Sequence, residues 1–263
     1  MSLILAHPKR THLPQVTNQA EAVKTMAEKH DKPFLFRRFS LVHSRSAMKI
    51  GTDGVLVGAW ADAGNANAIL DVGTGCGIIA LMMAQRFPQA QIDAIEPDNG
   101  SLEDAADNFA ASPWADRLTL AGGDFTSYGF GKKYDFIVSN PPFYSEDTES
   151  PDASRASARN TKALPPQAIA ARCAGLLSAE GRIAVIYPYS SKTSITGIFA
   201  QHGFLPCAVT DVRDSPSAPL KRSLMCFSRN TIEPCVTDEL CIRSEDGTWS
   251  DAYRALTGDF HTV

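Results

Sequence analysis

Along most of the chain, short apolar runs alternate with longer stretches of mixed polarity. The apolar runs include AILDVG, QIDAIEP, YDFIVSN and RIAVIYP, and stretches such as GIIALMMAQRF and QAIAARCAGLLSAEG separate them. Strands that alternate with helices of about ten to fifteen residues build a mainly parallel sheet with helices on both faces. The pattern therefore predicts an α/β protein with a Rossmann-like, doubly wound sheet.

The last part of the chain breaks this alternation. Only the loop RDSPSAPLKR lies between the strand-like runs PCAVTDV and SLMCFS, whereas a parallel return would need a crossover of about a dozen residues or more. These two strands are therefore expected to pair antiparallel. A final strand in ELCIR and a short helix in SDAYRALTGDF follow them.

Two regions of different character precede the alternation. Residues 1–33 lack a periodic apolar pattern, which is typical of a flexible arm. From Phe34 onward the sequence FLFRRFSLVHSRSAMKIGTDGVLVGAWA predicts a strand or hairpin and then a helix from about Asp53 to Ala61. We therefore expect a basic arm over residues 1–33 and a single domain over residues 34–263.

Composition narrows the class of protein further. The chain is 44% hydrophobic and shows neither an apolar run long enough to cross a bilayer nor an export signal, so we expect a soluble cytoplasmic protein and a monomer. No two of the six cysteines form a Cys-x-x-Cys pair, and the six histidines are scattered. This spacing predicts reduced thiols and no metal site.

The charge is unevenly distributed, although the net charge is only −4. Residues 1–49 hold nine lysines and arginines against three acidic residues, a balance of +6 that leaves −10 for residues 50–263. A basic front is typical of a surface that binds nucleic acid phosphates. The candidate phosphate contacts are Arg37, Arg38, Arg45 and Lys49, with Lys221 and Arg222 as weaker candidates.

A glycine-rich turn follows the first strand of the alternating region. The sequence LDVGTGCG puts Asp71, Gly73 and Gly75 ahead of a helix, where glycines let the backbone approach a ligand closely. A dinucleotide fingerprint would need a further glycine at position 78, and the chain has Ile78 there. S-adenosylmethionine has no pyrophosphate, so it suits this turn better than NAD.

Two more acidic residues follow the next two strands. Glu96 closes the second strand, where a carboxylate can accept hydrogen bonds from both ribose hydroxyls. Asp124 follows the third strand, in a position suited to bonding an adenine amino group. Either acid alone is typical of an ordinary strand end, but with the glycines they predict a nucleoside pocket.

The fourth strand ends in SNPPFY. Two prolines terminate a strand and restrict the residues around them. Because parallel strands end at the same edge of a sheet, Asn140, Pro141 and Phe143 are expected at the mouth of the same pocket. The alternative interpretation is a plain turn, which Asn-Pro often marks.

Together, the Asp-x-Gly-x-Gly-x-Gly turn and Asn-Pro-Pro-Phe resemble class I S-adenosylmethionine-dependent methyltransferases that alkylate planar amide or amino nitrogens. More narrowly, AMKIGTDGVLVGAWA, SPWADRL, SNPPFY and SDAYRALTGDF resemble the bacterial tRNA1(Val) adenine-N6 methyltransferases, from about Phe34 to the C-terminus. The resemblance implies a seven-stranded sheet with an antiparallel last pair, and a substrate adenine beside the anticodon of a valine tRNA.

The same resemblance implies the roles of individual residues. Thr52 and Asp53 would border the methionine end of the cofactor, and many relatives carry Tyr where this chain has Phe143. Asn140, Pro141 and Phe143 would hold the target base. The residues implied to hold S-adenosylmethionine are Asp71, Gly73, Gly75, Glu96, Asp124 and Asn140.

The chemistry of an exocyclic amine explains these residue types. Its lone pair is delocalised into the ring, so the site must hold the nitrogen and point it at the methyl donor. The Asn140 side-chain oxygen and the Pro141 carbonyl can accept its two N–H bonds, and Phe143 can stack on the base for about 1–3 kcal/mol. No strong base is required, and we expect His43 to be structural or RNA-facing.

Other functions fit the same pattern. An rRNA guanine amine, a DNA adenine and a protein glutamine amide all present a planar NH2 group to such a corner. A non-catalytic RNA-binding module that keeps its cofactor is a further alternative. The basic front of the chain favours nucleic acid over protein.

Overall fold

A computed structural model describes residues 33–46, 48–142, 164–230 and 234–261. A small antiparallel hairpin opens this part of the chain, and a large sheet follows it. The hairpin strands are β1 (Phe34–Leu35) and β2 (Ser40–Leu41), and the strands of the large sheet are β3 (Ala68–Val72), β4 (Gln91–Glu96), β5 (Leu118–Gly122), β6 (Tyr134–Ser139), β7 (Leu177–Pro188), β8 (Leu205–Arg213), β9 (Leu220–Ser228) and β10 (Val236–Cys241).

The large sheet has the strand order β10-β8-β9-β7-β6-β3-β4-β5. All neighbours are parallel except β9, which is antiparallel to both β7 and β8, so the predicted antiparallel pairing of PCAVTDV with SLMCFS is confirmed. The expected number of seven strands was wrong, because β10 adds an eighth strand parallel to β8. This edge strand is mostly exposed, since backbone pairing with β8 holds it without much side-chain burial.

Helices cover both faces of the sheet. Alternate residues of β3 face two separate cores: Ile69 packs with the helices that follow the glycine turn, and Leu70 packs with those around β7. This burial on both faces explains the continuous apolar runs of the sequence. The helices are α1 (Thr52–Trp60), α2 (Ile78–Arg86), α3 (Asn99–Ala111), α4 (Pro166–Leu176), α5 (Lys192–Gln201) and α6 (Asp251–Thr257).

The segment before α1 packs against the domain through its aromatic residues. Phe36 and Phe39 are buried with their rings stacked at a centroid distance of 4.6 Å, and Phe39 meets Trp114 edge-on. The interleaved arginines therefore point outward. The described residues from Pro33 onward belong to one compact unit, and the predicted flexible arm over residues 1–33 lies, apart from Pro33, outside the described residues.

The register of the parallel strands aligns their carboxyl ends. Val72 of β3 pairs with Ile95 of β4 and Ser139 of β6, and Glu96 pairs with Gly122 of β5. The chain moves from β3 outward to β4 and β5, and then returns to β6 on the other side of β3. The order therefore reverses between β3 and β6, which is where doubly wound sheets bind their ligands. We call this side of the sheet the carboxyl edge and the opposite side the amino edge.

Candidate active site

The turn after β3 adopts backbone angles that favour glycine. Gly73, Gly75 and Gly77 have φ values of 70°, 57° and 91°. A Cβ atom added to Gly73 or Gly75 would meet no atom within 4 Å, whereas at Gly77 it would lie 2.5 Å from the ring of Phe109. Gly77 therefore lets α2 pack against α3, while the first two glycines border open space at the carboxyl edge.

Asp71 lies fully buried beneath this turn. Its Oδ2 atom accepts hydrogen bonds from Thr74 Oγ1 at 2.5 Å and from the Ala80 amide at 3.0 Å. Its Oδ1 atom is buried and has no hydrogen-bond partner among the described residues, and burial raises the pKa of the carboxyl to about 7. A buried acceptor without a partner, next to an open glycine turn, fits a ligand that supplies a donor.

Glu96, at the end of β4, connects that strand to the glycine turn that follows β3. Its Oε2 accepts from the Gly75 amide at 2.8 Å, and its Oε1 accepts from the Asp98 amide at 2.9 Å. Burial raises the pKa of this carboxyl. A carboxylate offers about four acceptor sites, so both oxygens can still accept ribose hydroxyls. The position of Glu96 agrees with the predicted nucleoside pocket, but its amide contacts were not visible in the sequence.

Asp124 lies beyond β5 and is exposed. It caps the following turn by accepting from the amide and the hydroxyl of Thr126, both at 2.7 Å, and these bonds lower its pKa. Asp124 therefore has a structural role of its own. The predicted contact with an adenine amino group stays a prediction.

The Asn-Pro-Pro corner stands beside the glycine turn. Ser139, the last residue of β6, donates its hydroxyl to the Val72 carbonyl at 2.8 Å, which ties the end of β6 to the end of β3. Asn140 is half-buried, Pro141 is buried, and Phe143 lies outside the described residues. The structure therefore brings Asn140 and Pro141 to the same edge as Asp71 and Glu96.

The first turn of α1 closes this side of the edge. A Cβ atom added to Gly54 would lie 3.4 Å from the Ile78 side chain and 3.9 Å from Asn140 Nδ2, so α1 begins beside both motifs. Thr52 is exposed there, and Asp53 forms an ion pair with Arg222, which also bonds Asp214 at 3.0 Å. This link between α1 and β9 spans 169 positions, and no local pattern could reveal it.

The structure does not bring the six predicted phosphate contacts together. Arg45 is held by three carboxylates of α3, with Nε 2.7 Å from Asp104, and the Asp107 bond raises its pKa. Lys221 pairs with Asp214 at 2.7 Å, and Arg222 pairs with Asp53. Three of the six charges are thus matched within the protein. Lys49 bonds two backbone carbonyls, and Arg37 and Arg38 lie at the amino edge.

In the described ranges, no group of three or more His, Cys, Asp or Glu side chains is arranged to hold a metal ion. None of the helices in those ranges combines the length and apolar character needed to span a bilayer.

A doubly wound sheet with an antiparallel β8–β9 pair, a glycine turn with buried acids and an Asn-Pro-Pro corner define an S-adenosylmethionine-dependent methyltransferase. The sequence model of the methyltransferase small domain matches residues 35–164. A crystal structure of a predicted O-methyltransferase from Agrobacterium tumefaciens shares the fold, with a TM-score of 0.60 and 15% identity over 79% of this chain and 96% of that chain.

Closer relatives specify the family. A protein of Flavobacterium johnsoniae named tRNA1(Val) (adenine(37)-N6)-methyltransferase is 43% identical over 87% of this chain and 98% of its own length. A protein of the same name from Yersinia pseudotuberculosis is 36% identical over 94% of this chain and 98% of its own length. The chain belongs to this family of methyltransferases.

Proposed function

We propose that the protein transfers a methyl group from S-adenosylmethionine to N6 of adenine 37 in tRNA1(Val), the reaction that the names of its relatives state. The observation that carries the proposal is the junction of β3 and β6. Because the Ser139 hydroxyl bonds the Val72 carbonyl at 2.8 Å, the Asn-Pro-Pro corner and the glycine turn share one edge. Methyl transfer requires the donor and the acceptor amine to lie next to each other, and two adjacent motifs at one edge allow this.

Each residue has a role in this proposal. Asp71 offers its unpartnered oxygen to a donor on the cofactor, and Glu96 accepts the ribose hydroxyls. Gly73 and Gly75 leave room for the ligand. The bound cofactor supplies an electrophilic methyl group. We propose that Asp124 contacts the adenine of the cofactor, and that Thr52 and Asp53 lie near its methionine end.

Asn140 and Pro141 position the acceptor amine. The Asn140 side-chain oxygen and the Pro141 carbonyl each accept one N–H bond, and the two prolines limit the movement of both acceptors. Phe143 supplies a face on which the base can stack. The amine can release its proton to water after the transfer, so positioning and electrostatics account for the rate. One chain carries all these groups, and tRNA is a cytoplasmic substrate, so we expect a cytoplasmic monomer to suffice.

Nucleoside mass spectrometry tests the proposal. Bulk tRNA is incubated with protein and S-adenosylmethionine, and N6-methyladenosine is expected in one tRNA. Asn140→Ala should bind the cofactor almost normally but lower turnover by roughly a hundredfold or more, because a positioned polar group is lost from the transition state. Asn65→Ala, a change in an exposed loop residue, is the matched control.

Three results would contradict the proposal. Methylated guanine, or modification only of a protein glutamine or of DNA, would support another acceptor. Cofactor binding without turnover on any tRNA would indicate a non-catalytic module. Normal turnover of the Asn140→Ala protein would mean that the corner is only a turn.

A further inference from the structure

A basic groove lies at the amino edge, away from the proposed active site. It has a volume of about 570 Å³. Three guanidinium groups and one carboxylate supply its charges, so cations outnumber anions. The lining residues are Arg37, Arg38, Gln85, Arg86, Phe87 and Asp259.

The contacts of the groove place it at the opposite end of the sheet from the glycine turn. Helix α2 begins after Gly77 at the carboxyl edge and ends at Arg86, beside the groove. Arg38 lies over the ring of Trp114, which precedes β5, at 5.6 Å from the ring centroid. The nine residues of α2 rise about 1.5 Å each, so roughly 14 Å of helix separates the two ends.

The arginines of the groove bond backbone carbonyls or lie over an aromatic ring. Arg37 donates from Nε to the His261 carbonyl at 2.6 Å, and Arg86 donates to the Gly58 and Ala61 carbonyls. In the part of the chain that the structure describes, neither Arg37 nor Arg38 forms an ion pair with a carboxylate. Arg37 and Arg38 therefore contribute uncancelled positive charge to the groove.

Within the described residues of this front, one other basic side chain has no carboxylate partner. Lys49 bonds the carbonyls of His43 and Ser44, at 2.7 Å and 3.2 Å, and the chain continues directly from it to α1 at the carboxyl edge. The segment from Arg37 to Lys49 thus extends along one face of the domain, with free positive charge at both ends and the neutralised Arg45 between them.

We propose that this groove binds a backbone phosphate of the helical stem next to the loop that carries the target adenine. The inference rests on the proposed tRNA substrate. Phosphates of one B-DNA strand lie about 3.4 Å apart along the axis and those of an A-form RNA stem lie closer, so a separation of roughly 14 Å corresponds to four nucleotides or more. A base bound at the carboxyl edge would therefore bring the stem, and not its own phosphate, to the groove. The planar forks of Arg37 and Arg38 suit a phosphate.

The experiment measures RNA affinity across a range of salt concentrations with two RNAs. One is the anticodon stem-loop of tRNA1(Val), and the other has the same loop on a stem cut to its two loop-proximal base pairs. The variant is Arg38→Gln, with an Arg37→Gln, Arg38→Gln double variant as a second test. The matched control is Arg229→Gln, because Arg229 is also exposed at the amino edge and stacks on an aromatic ring, Phe204, but on the other face.

The expected effect follows from the salt dependence of phosphate contacts. The slope is that of the logarithm of the binding constant against the logarithm of the salt concentration. Each phosphate contact that is lost lowers its magnitude by about 0.9, which corresponds to roughly eightfold weaker binding at 0.1 M salt. Arg38→Gln should show this loss with the long stem and little loss with the short one, while Arg229→Gln should change neither. Cofactor affinity and melting temperature should match those of the wild type.

Two outcomes would overturn the groove assignment. An equal loss of affinity for both RNAs would mean that Arg38 contacts the loop, and no loss in the single or the double variant would mean that the groove does not face RNA. Methylation of the long stem-loop by the wild-type protein is measured separately. Its failure would refute the proposed function, whatever the variants show.

Discussion

Replacing Glu96 by Gln tests the cofactor pocket directly. Glu96 accepts amide hydrogen bonds from Gly75 and Asp98 at 2.8 Å and 2.9 Å, and both of its oxygens keep acceptor capacity toward the carboxyl edge. The substitution preserves the size of the side chain but turns one oxygen into an NH2 group. The new NH2 group faces the backbone amide of Gly75 or Asp98 and cannot accept a hydrogen bond from it. The substitution therefore removes one of these two backbone bonds and one acceptor for the ribose hydroxyls.

The size of the effect comes from the charge of the acceptor. A hydrogen bond to a charged group contributes about 1.5–3 kcal/mol. About 1.4 kcal/mol corresponds to a factor of ten in affinity. The lost bond to a ribose hydroxyl should therefore weaken cofactor binding by roughly 10- to 150-fold. The loss of the Gly75 or Asp98 bond should also lower the melting temperature by a few degrees, at about 2–4 °C for each kcal/mol.

Calorimetry with two ligands separates the two contributions. S-adenosylhomocysteine is compared with an analogue that lacks both ribose hydroxyls, in the wild type, in Glu96→Gln and in the control Glu103→Gln, whose side chain is largely exposed on α3. If Glu96 binds the hydroxyls, its substitution should cost much less affinity with the analogue. An equal cost for both ligands would restrict Glu96 to holding the turn, and an unchanged affinity for S-adenosylhomocysteine would refute its role in the pocket.

Two further substitutions test charges that the structure buries or pairs. The pKa of Asp71 is raised to about 7 from an ordinary value of 3.8, so its contribution to stability is present below about pH 4 and is lost as the pH rises through 7. In thermal melts, Asp71→Asn should therefore gain stability relative to the wild type as the pH rises from about 4 to 7, and an equal pH response of the two proteins would contradict the buried charge. Arg45→Ala should lower the melting temperature, because buried Asp104 loses its charged donor at 2.7 Å, whereas Glu103→Gln should have almost no effect. The same Arg45→Ala protein should keep its salt slope for RNA binding, and a lower slope would show that Arg45 contacts phosphate after all.

The sequence by itself determined the fold class and most of the carboxyl edge. Apolar runs that alternate with amphipathic stretches predict a parallel sheet covered by helices on both faces. The motifs at the strand ends can be recognised from neighbouring residues alone. The sequence therefore predicted that Asp71, Gly73, Glu96 and Asn140 lie at this edge. Each of these residues lies at the carboxyl end of a strand, and the carboxyl ends of parallel strands lie at one edge of the sheet.

Only the tertiary structure decided what each charge faces. Asp53 and Arg222 are 169 positions apart and become an ion pair because α1 begins beside the first residues of β9. Arg45 has the same type of charge as Arg38, but α3 places carboxylates around Arg45, whereas Arg38 faces an aromatic ring at the amino edge. The sequence predicted a last strand in ELCIR, but its parallel pairing with β8 depends on the open edge that β8 offers. These features arise from contacts between distant segments, and composition and periodicity carry no information about such contacts.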